Sequence, residues 1–171
     1  MVKIVEAAIQ DCKELIALGK STFVNSHGHS AASKDIQEYI DANFTEAKLL
    51  PEILNKNCIY SLIYLDDSLA GYSKITLNST HPQITSSQAT KLDRLYLDQN
   101  FYGKDLGKQL MHYNLQLSQE KQQLGMWLYV WKENQRAVNF YQKMNFKIVG
   151  EGDFKITDTH SNPNFIMYRE Y

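Results

Sequence analysis

The stretch from Lys91 to Trp131 constrains the fold more than any other part of the chain. Lys91–Asp98 alternates as a strand does, with Leu92, Arg94, Tyr96 and Asp98 predicted on one face and Asp93, Leu95 and Leu97 on the other. A short loop with Gly103 and Gly107 follows. Asp105–Gln123 then has helical spacing, with Leu106, Leu110, Tyr113, Leu117 and Leu124 as its apolar stripe. Met126–Trp131 is a dense apolar strand. Two strands joined through one helix lie parallel in a sheet, and the crossover between them is right-handed.

The surrounding segments supply antiparallel partners. Lys3–Glu6 reads as a first strand. From Ile9 a helix begins whose face carries Cys12, Leu15, Ile16, Gly19 and Phe23, and Gly28 with Ser30–Ser33 interrupts it. Asp35–Phe44 and Glu46–Leu54 are two further helices, with Pro51 expected at a boundary or kink. Cys58–Leu65 and Leu69–Leu77 form a hairpin around Asp66-Asp67, and Asn78–Thr90 is a polar loop. Asn134 caps a helix with the stripe Ala137, Phe140, Tyr141 and Met144; Phe146–Val149 and Asn164–Tyr168 complete the sheet. The expected fold is α/β (α+β): a mixed, mostly antiparallel sheet with a central parallel pair, flanked by helices.

A length of 171 residues fits one domain, residues 1–171, and 43% hydrophobic with 22% charged residues is ordinary for a globular chain. The net charge of −1 argues against nucleic acid, which usually leaves a basic imprint. No apolar run approaches the ~20 residues that span a bilayer. The N-terminus lacks the apolar core of a signal peptide, so the expected location is the cytoplasm. Cys12 and Cys58, in apolar surroundings, read as buried thiols of a reducing compartment. Of the five histidines only His27-Gly-His29 is close-set, and it reads as an exposed loop; no metal is expected.

A strand, a glycine loop and a helix together present unpaired backbone N–H groups at the positive end of a helix, which suits a pyrophosphate. Lys104 and Lys108 add charge. A helix that starts with glycine for steric reasons gives the same pattern. The spacing is not a Walker loop, which has four residues between its glycines and then Lys-Ser/Thr; here there are three, then Lys108-Gln109. Nor does it fit the three-glycine dinucleotide loop, which follows the first strand of a parallel fold.

A second motif narrows the reading. Asn134-Gln-Arg-Ala-Val-Asn-Phe-Tyr-Gln-Lys-Met-Asn-Phe146 resembles a signature of the GNAT superfamily of N-acetyltransferases, Asn-x-x-Ala-x-x-Phe-Tyr followed by Gly-Phe. The loop around Tyr102, Asp105 and Gly107 resembles the superfamily's Gln/Arg-x-x-Gly-x-Gly/Ala element. Both occur in the superfamily's order, and the resemblance covers essentially the whole chain. Three positions depart from it. Tyr102 stands for Gln or Arg, Asp105 for the central glycine, and Asn145 for the glycine before Phe146. Asparagine tolerates the left-handed backbone of a helix end. A carboxylate at Asp105 opposes a pyrophosphate unless it points into water.

The resemblance implies an acetyl-CoA-dependent enzyme that moves acetyl directly from thioester to amine. It implies that the pantetheine arm pairs with the strand at Leu95, Tyr96 and Leu97, where an N–H polarises the thioester carbonyl. It implies phosphate contacts from the loop Tyr102, Gly103, Lys104, Asp105, Leu106, Gly107 and Lys108, and a cofactor contact from Asn134. Arg136 and Lys143 either reach the phosphates or sit on a solvated helix face. Tyr141 matches the family's general acid, a phenol whose ordinary pKa suits a thiol leaving group. From its helical stripe alone Tyr141 reads as a core aromatic; the motif is what favours the acid role. Asp93 matches a carboxylate that serves as base in related enzymes; the other reading is an ion pair with Arg94 or a lysine.

For the acceptor, Thr22–Ser26, Asp35–Phe44, Ile63–Asp67 with Ala70-Gly-Tyr72, and Trp127–Asn134 resemble the bacterial spermidine/spermine branch. That implies a polyamine, with Asp35, Glu38 and Asp41 spaced along one side of a helix beside the groove. A solvated acidic face gives the same spacing. The alternatives are a protein, peptide or antibiotic amine, or a non-catalytic acyl-CoA-binding module. Dimers are common among such relatives, which leaves a homodimer open.

Overall fold

Seven strands and five helices follow in the order that the sequence patterns predict. The computed structural model describes residues 1–171. Its elements are β1 (Val2–Glu6), α1 (Cys12–His27), α2 (Ser33–Asn43), α3 (Glu46–Leu54), β2 (Cys58–Leu65), β3 (Ser68–Thr76), β4 (Ala89–Leu97), α4 (Leu106–Glu120), β5 (Gly125–Trp131), α5 (Gln135–Lys143), β6 (Lys147–Lys155) and β7 (Ser161–Glu170). One sheet runs β1-β2-β3-β4-β5-β7-β6, parallel only between β4 and β5. No helix is long and apolar enough to cross a membrane.

Local chemistry accounts for the joints. Asp66 and Asp67 both take left-handed backbone (φ 47° and 63°), the geometry whose twist matches a two-residue hairpin between β2 and β3. Asn145, also left-handed at φ 64°, ends α5. Pro51 lies inside α3 instead of at its boundary, and the helix continues to Leu54.

Helices cover both faces of the sheet. On one, α4 and α5 bury Met111, Leu115, Val138 and Met144 against Met126 and Leu128 of β5. On the other, α1 and α3 bury Leu15, Leu18 and Leu49 against Tyr60, Leu62 and Tyr72. The buried line of α4 differs from the predicted stripe. It runs Leu106, Leu110, Met111, Asn114, Leu115 and Ser118, while Leu124 is exposed beyond the helix end. Two polar residues hid this line in the sequence. Asn114 is buried because it accepts from Ser73 Oγ of β3 (3.1 Å) and donates to Leu110 O, and Ser118 shares a hydrogen bond with Thr90.

Two irregularities in β4 position everything that follows. First, β4 pairs with β5 only over Ala89–Lys91 opposite Gly125–Trp127, and the strands then part. Second, the register against β3 shifts between Lys74 and Ile75, so Arg94 faces Lys74 and Leu92 faces Ile75. Asp93 is left without an opposite residue, a β-bulge. The bulge changes the predicted faces. Leu92, Leu95 and Leu97 pack toward α4, whereas Asp93 joins Lys91, Arg94 and Tyr96 on the α1–α3 side.

Glycine is required where β3 approaches this strand. A Cβ at Gly71 would stand 2.4 Å from the Tyr96 carbonyl oxygen, a backbone atom that cannot swing aside. Gly71→Ala is expected to lower folding stability by about 1–3 kcal/mol in urea denaturation.

Candidate active site

Beyond Lys91, one edge of β4 has no strand beside it. Asp98 N–H bonds Ala70 O on the β3 side. By antiparallel alternation Tyr96 and Arg94 share that side, so the N–H and C=O groups of Leu95 and Leu97 point toward the gap left by β5. An added extended chain would complete the ladder there.

The gap opens into a cleft of about 540 Å³ lined by Leu95, Tyr96, Leu97, Trp131, Asn134 and Tyr141, with Tyr102, Gly107 and Arg136 toward its mouth. At that mouth the backbone offers donors. The N–H groups from Gly103 through Lys108 find no acceptor within the chain, and no side chain caps α4. Gly103 (φ 77°) is surrounded by open space, and Asp105 takes left-handed backbone (φ 59°). The central position of the loop thus needs a glycine-like conformation, which Asp tolerates better than most residues. Arg136, from the first turn of α5, lies over the Tyr102 ring with its guanidinium 4.0 Å from the centroid. The cation missing from position 102 is therefore supplied from the opposite wall. These groups fit a molecule with an extended amide-bearing arm and a pyrophosphate.

The remaining predicted residues divide plainly. Leu106 is buried in the core, so only its backbone serves the loop. Lys104, Asp105 and Lys108 are exposed around the donors, and Lys104 lies over the Phe101 ring. Lys143, at the exposed end of α5, lies outside the cleft. Asn134 accepts from Ala137 N–H (3.1 Å) as the cap of α5, while its amide N–H₂ has no partner in the chain.

Tyr141 stands where the cleft meets a second cavity of about 450 Å³ on the α1–α3 side. It is 9% exposed, its hydroxyl has no hydrogen-bond partner, and burial pushes its pKa well above the usual phenol range. Phe140 and Phe146 hold the ring edge-on. Asp93 lines the second cavity, where it pairs with Lys91 Nζ (3.0 Å) and accepts from Thr76 Oγ1 (2.6 Å). The structure thus brings Tyr141 and Asp93 to one space. Asp35 and Glu38 it leaves outside both cavities; Glu38 pairs with Lys34 along α2 (3.7 Å).

Several lining residues escaped the sequence reading. His27 is not in an exposed loop. It is the last residue of α1, stacked on Phe23 and edge-on to Tyr96, with a buried Nδ1 that has no partner. Its helical spacing from Phe23 was the available signal. Arg94 and Glu52 also line this cavity, and neither carried a motif.

A sheet that splits beside a donor-rich helix start, with a phenol at the junction, defines an acyltransferase that works on a coenzyme A thioester. The acetyltransferase (GNAT) family model matches residues 20–146, and the chain belongs to that family. It is an N-acetyltransferase with acetyl-CoA as cosubstrate. An uncharacterized N-acetyltransferase of Lactobacillus delbrueckii subsp. lactis is 28% identical over 157 residues, covering 92% of this chain and 91% of that one. The spermidine N(1)-acetyltransferase of Thermoplasma acidophilum is 25% identical over 174 residues, covering 99% and 98%. Among solved structures, the PaiA N-acetyltransferase of T. acidophilum in complex with coenzyme A superposes with a TM-score of 0.80 at 24% identity, over 100% of this chain and 99% of that one.

Burial, with the charge of His29 adding to it, pushes the His27 pKa down to about 4 from an ordinary 6.5. The folded state therefore binds this proton less readily than the unfolded chain. Stability from this group is complete above about pH 6.5 and falls as the pH drops toward 4. His27→Phe keeps the stack and removes the titration. Its stability relative to wild type should improve by up to about 3 kcal/mol between pH 7.5 and 4, as read in urea melts at both pH values.

Proposed function

We propose that this chain transfers the acetyl group of acetyl-CoA directly to the primary amine of a small molecule, with Tyr141 as general acid and Asp93 as base. The observation that carries the proposal is the place of Tyr141, at the junction of the cleft and the second cavity with an unpartnered hydroxyl. The thioester supplies an activated acetyl group whose carbonyl needs a hydrogen-bond donor and whose sulfur needs a proton. The β4 edge at Leu95 and Leu97 orients the arm, and a backbone N–H there stabilises the carbonyl oxygen as negative charge grows on it. The N–H groups of Gly103 to Lys108 bind the pyrophosphate, and Lys104, Lys108 and Arg136 add charge around it. Asn134 holds the arm through its free amide while it caps α5.

At the reacting centre Asp93 takes a proton from the ammonium of the acceptor, directly or through water. The amine nitrogen then bonds to the acetyl carbon as the carbon–sulfur bond breaks. The Tyr141 hydroxyl gives its proton to the departing sulfur, and the second proton of the acylated nitrogen returns to the phenolate, directly or through water, leaving a neutral amide and a free thiol. The relatives named as spermidine or spermine acetyltransferases support an amine as acceptor, and their names alone suggest a polyamine. Cys12 and Cys58, both free and buried, suit a cytoplasmic setting.

Calorimetry with acetyl-CoA measures the first half of this proposal, and thiol release with a panel of amines measures the second. Binding without release above background for any amine would end the catalytic reading. Tyr141→Phe should lower kcat by about 10²-fold or more with little change in the acetyl-CoA Kd; unchanged turnover would remove Tyr141 from the acid role. Asp93→Asn should lower kcat by about 10²-fold or more, and unchanged turnover would exclude Asp93 as base.

A further inference from the structure

The second cavity carries a charge pattern that a polyamine does not explain. Two carboxylates line it, Glu52 and Asp93, and each is already engaged. Lys74 Nζ lies 3.0 Å from Glu52, which also accepts from the Tyr60 hydroxyl, and Lys91 with Thr76 holds Asp93. Three further cations have no such cover among the lining residues. Lys48 and Lys155 stand at the rim, the latter paired only with Asp158 outside the cavity. Arg94 stands within.

Arg94 is the telling member. It projects from the residue after the bulge, lies over the Phe44 ring at 4.5 Å, and reaches the Tyr60 hydroxyl through one long hydrogen bond of 3.4 Å. No carboxylate pairs with it, although five N–H donors are available on a guanidinium that stays charged at every working pH. A half-buried arginine surrounded by the phenols of Tyr39, Tyr60, Tyr72 and Tyr96 but paired with no carboxylate, in a cavity with excess positive charge, is arranged to receive an anion. A cationic chain would meet repulsion there, because both carboxylates are neutralised.

We infer that the acceptor is a small amine that also carries an anionic group, a carboxylate or a phosphate, held by Arg94 while its nitrogen faces the thioester near Tyr141. Strand geometry sets the spacing. At about 3.3 Å per residue, Arg94 lies roughly 7 Å along β4 from Tyr96, so amine and anion are a few bonds apart, as in a short amino acid or an aminoalkyl phosphate. The inference rests on the transfer reaction proposed above and names the chemistry of its acceptor.

The test compares 4-aminobutyrate with its uncharged amide, 2-aminoethyl phosphate and spermidine in the thiol-release assay. The carboxylate or the phosphate should exceed the amide by about 10- to 100-fold in kcat/KM, the usual weight of a charge-assisted pair. Whichever of the two is higher identifies the anion. Arg94→Gln should bring that ratio toward one mainly through KM, and Arg94→Lys should restore part of it. Retained acetyl-CoA binding certifies the fold of each variant; should neither fold, Lys155→Gln at the rim should lower the ratio by a smaller factor. Spermidine preferred over both anionic amines, or equal rates with carboxylate and amide, would overturn the inference while leaving acetyl transfer intact. If no amine is acetylated, the transfer reading fails, and calorimetry with glutarate decides the inference alone. Glutarate binding that weakens in Arg94→Gln would support it, and no binding to wild type would overturn it.

Discussion

A strand edge inside a protein carries N–H and C=O groups that must find partners, and the parting of β4 from β5 leaves such an edge at Leu95 and Leu97. β1 and β6 have free edges because they are the outermost strands, whereas this free edge lies inside the sheet. Here the neighbours withdraw after three paired residues, and α5 begins where β5 would have continued. The gap cannot collapse, because α4 and α5 brace β4 and β5 from one face through a shared cluster that includes Leu92, Met111, Val130 and Val138. An extended ligand with amide groups can fill the missing place in the ladder. The starts of α4 and α5 face each other across the mouth of the gap, where Arg136 lies over the Tyr102 ring.

The departures from the family's loop pattern become consistent in three dimensions. The loop needs a left-handed residue at 105 and free N–H groups behind it, and both are present. What glycine would have supplied is backbone geometry, and an aspartate there carries a local strain of order 1 kcal/mol. The basic residue expected at 102 is replaced by a ring that seats Arg136. Positive charge is conserved at the mouth by exchange between two elements, which a motif read along one segment does not reveal.

The order of elements was legible because each strand and helix declares itself by local periodicity, and both signature motifs are short. Sheet order was not, since β7 enters between β5 and β6 by long-range pairing alone. The bulge at Asp93 was invisible for the same reason: it exists only relative to Lys74 and Ile75 on β3. That one residue moved Asp93 to the same face as Arg94 and so changed which charges share a cavity. The carboxylates Asp35 and Glu38, plausible from helical spacing, lie outside it, whereas Glu52 and Arg94 line it from segments that carry no motif.

The burial of Tyr141 bears on whether a phenol so weakly acidic can serve as a proton donor. Desolvation penalises the phenolate and holds the hydroxyl protonated across the working range, which favours its readiness but not its strength. The departing thiolate, however, would form in the same cleft, where burial penalises its anion by the same physics. Both partners are displaced toward their neutral forms, so the difference between them, which sets the driving force for transfer, changes far less than either value alone. An exposed tyrosine would be a stronger acid facing a more weakly basic sulfur, with water competing for both. In the proposed transfer, burial at the junction would preserve the match between donor and leaving group and would exclude the solvent that competes for the acetyl group.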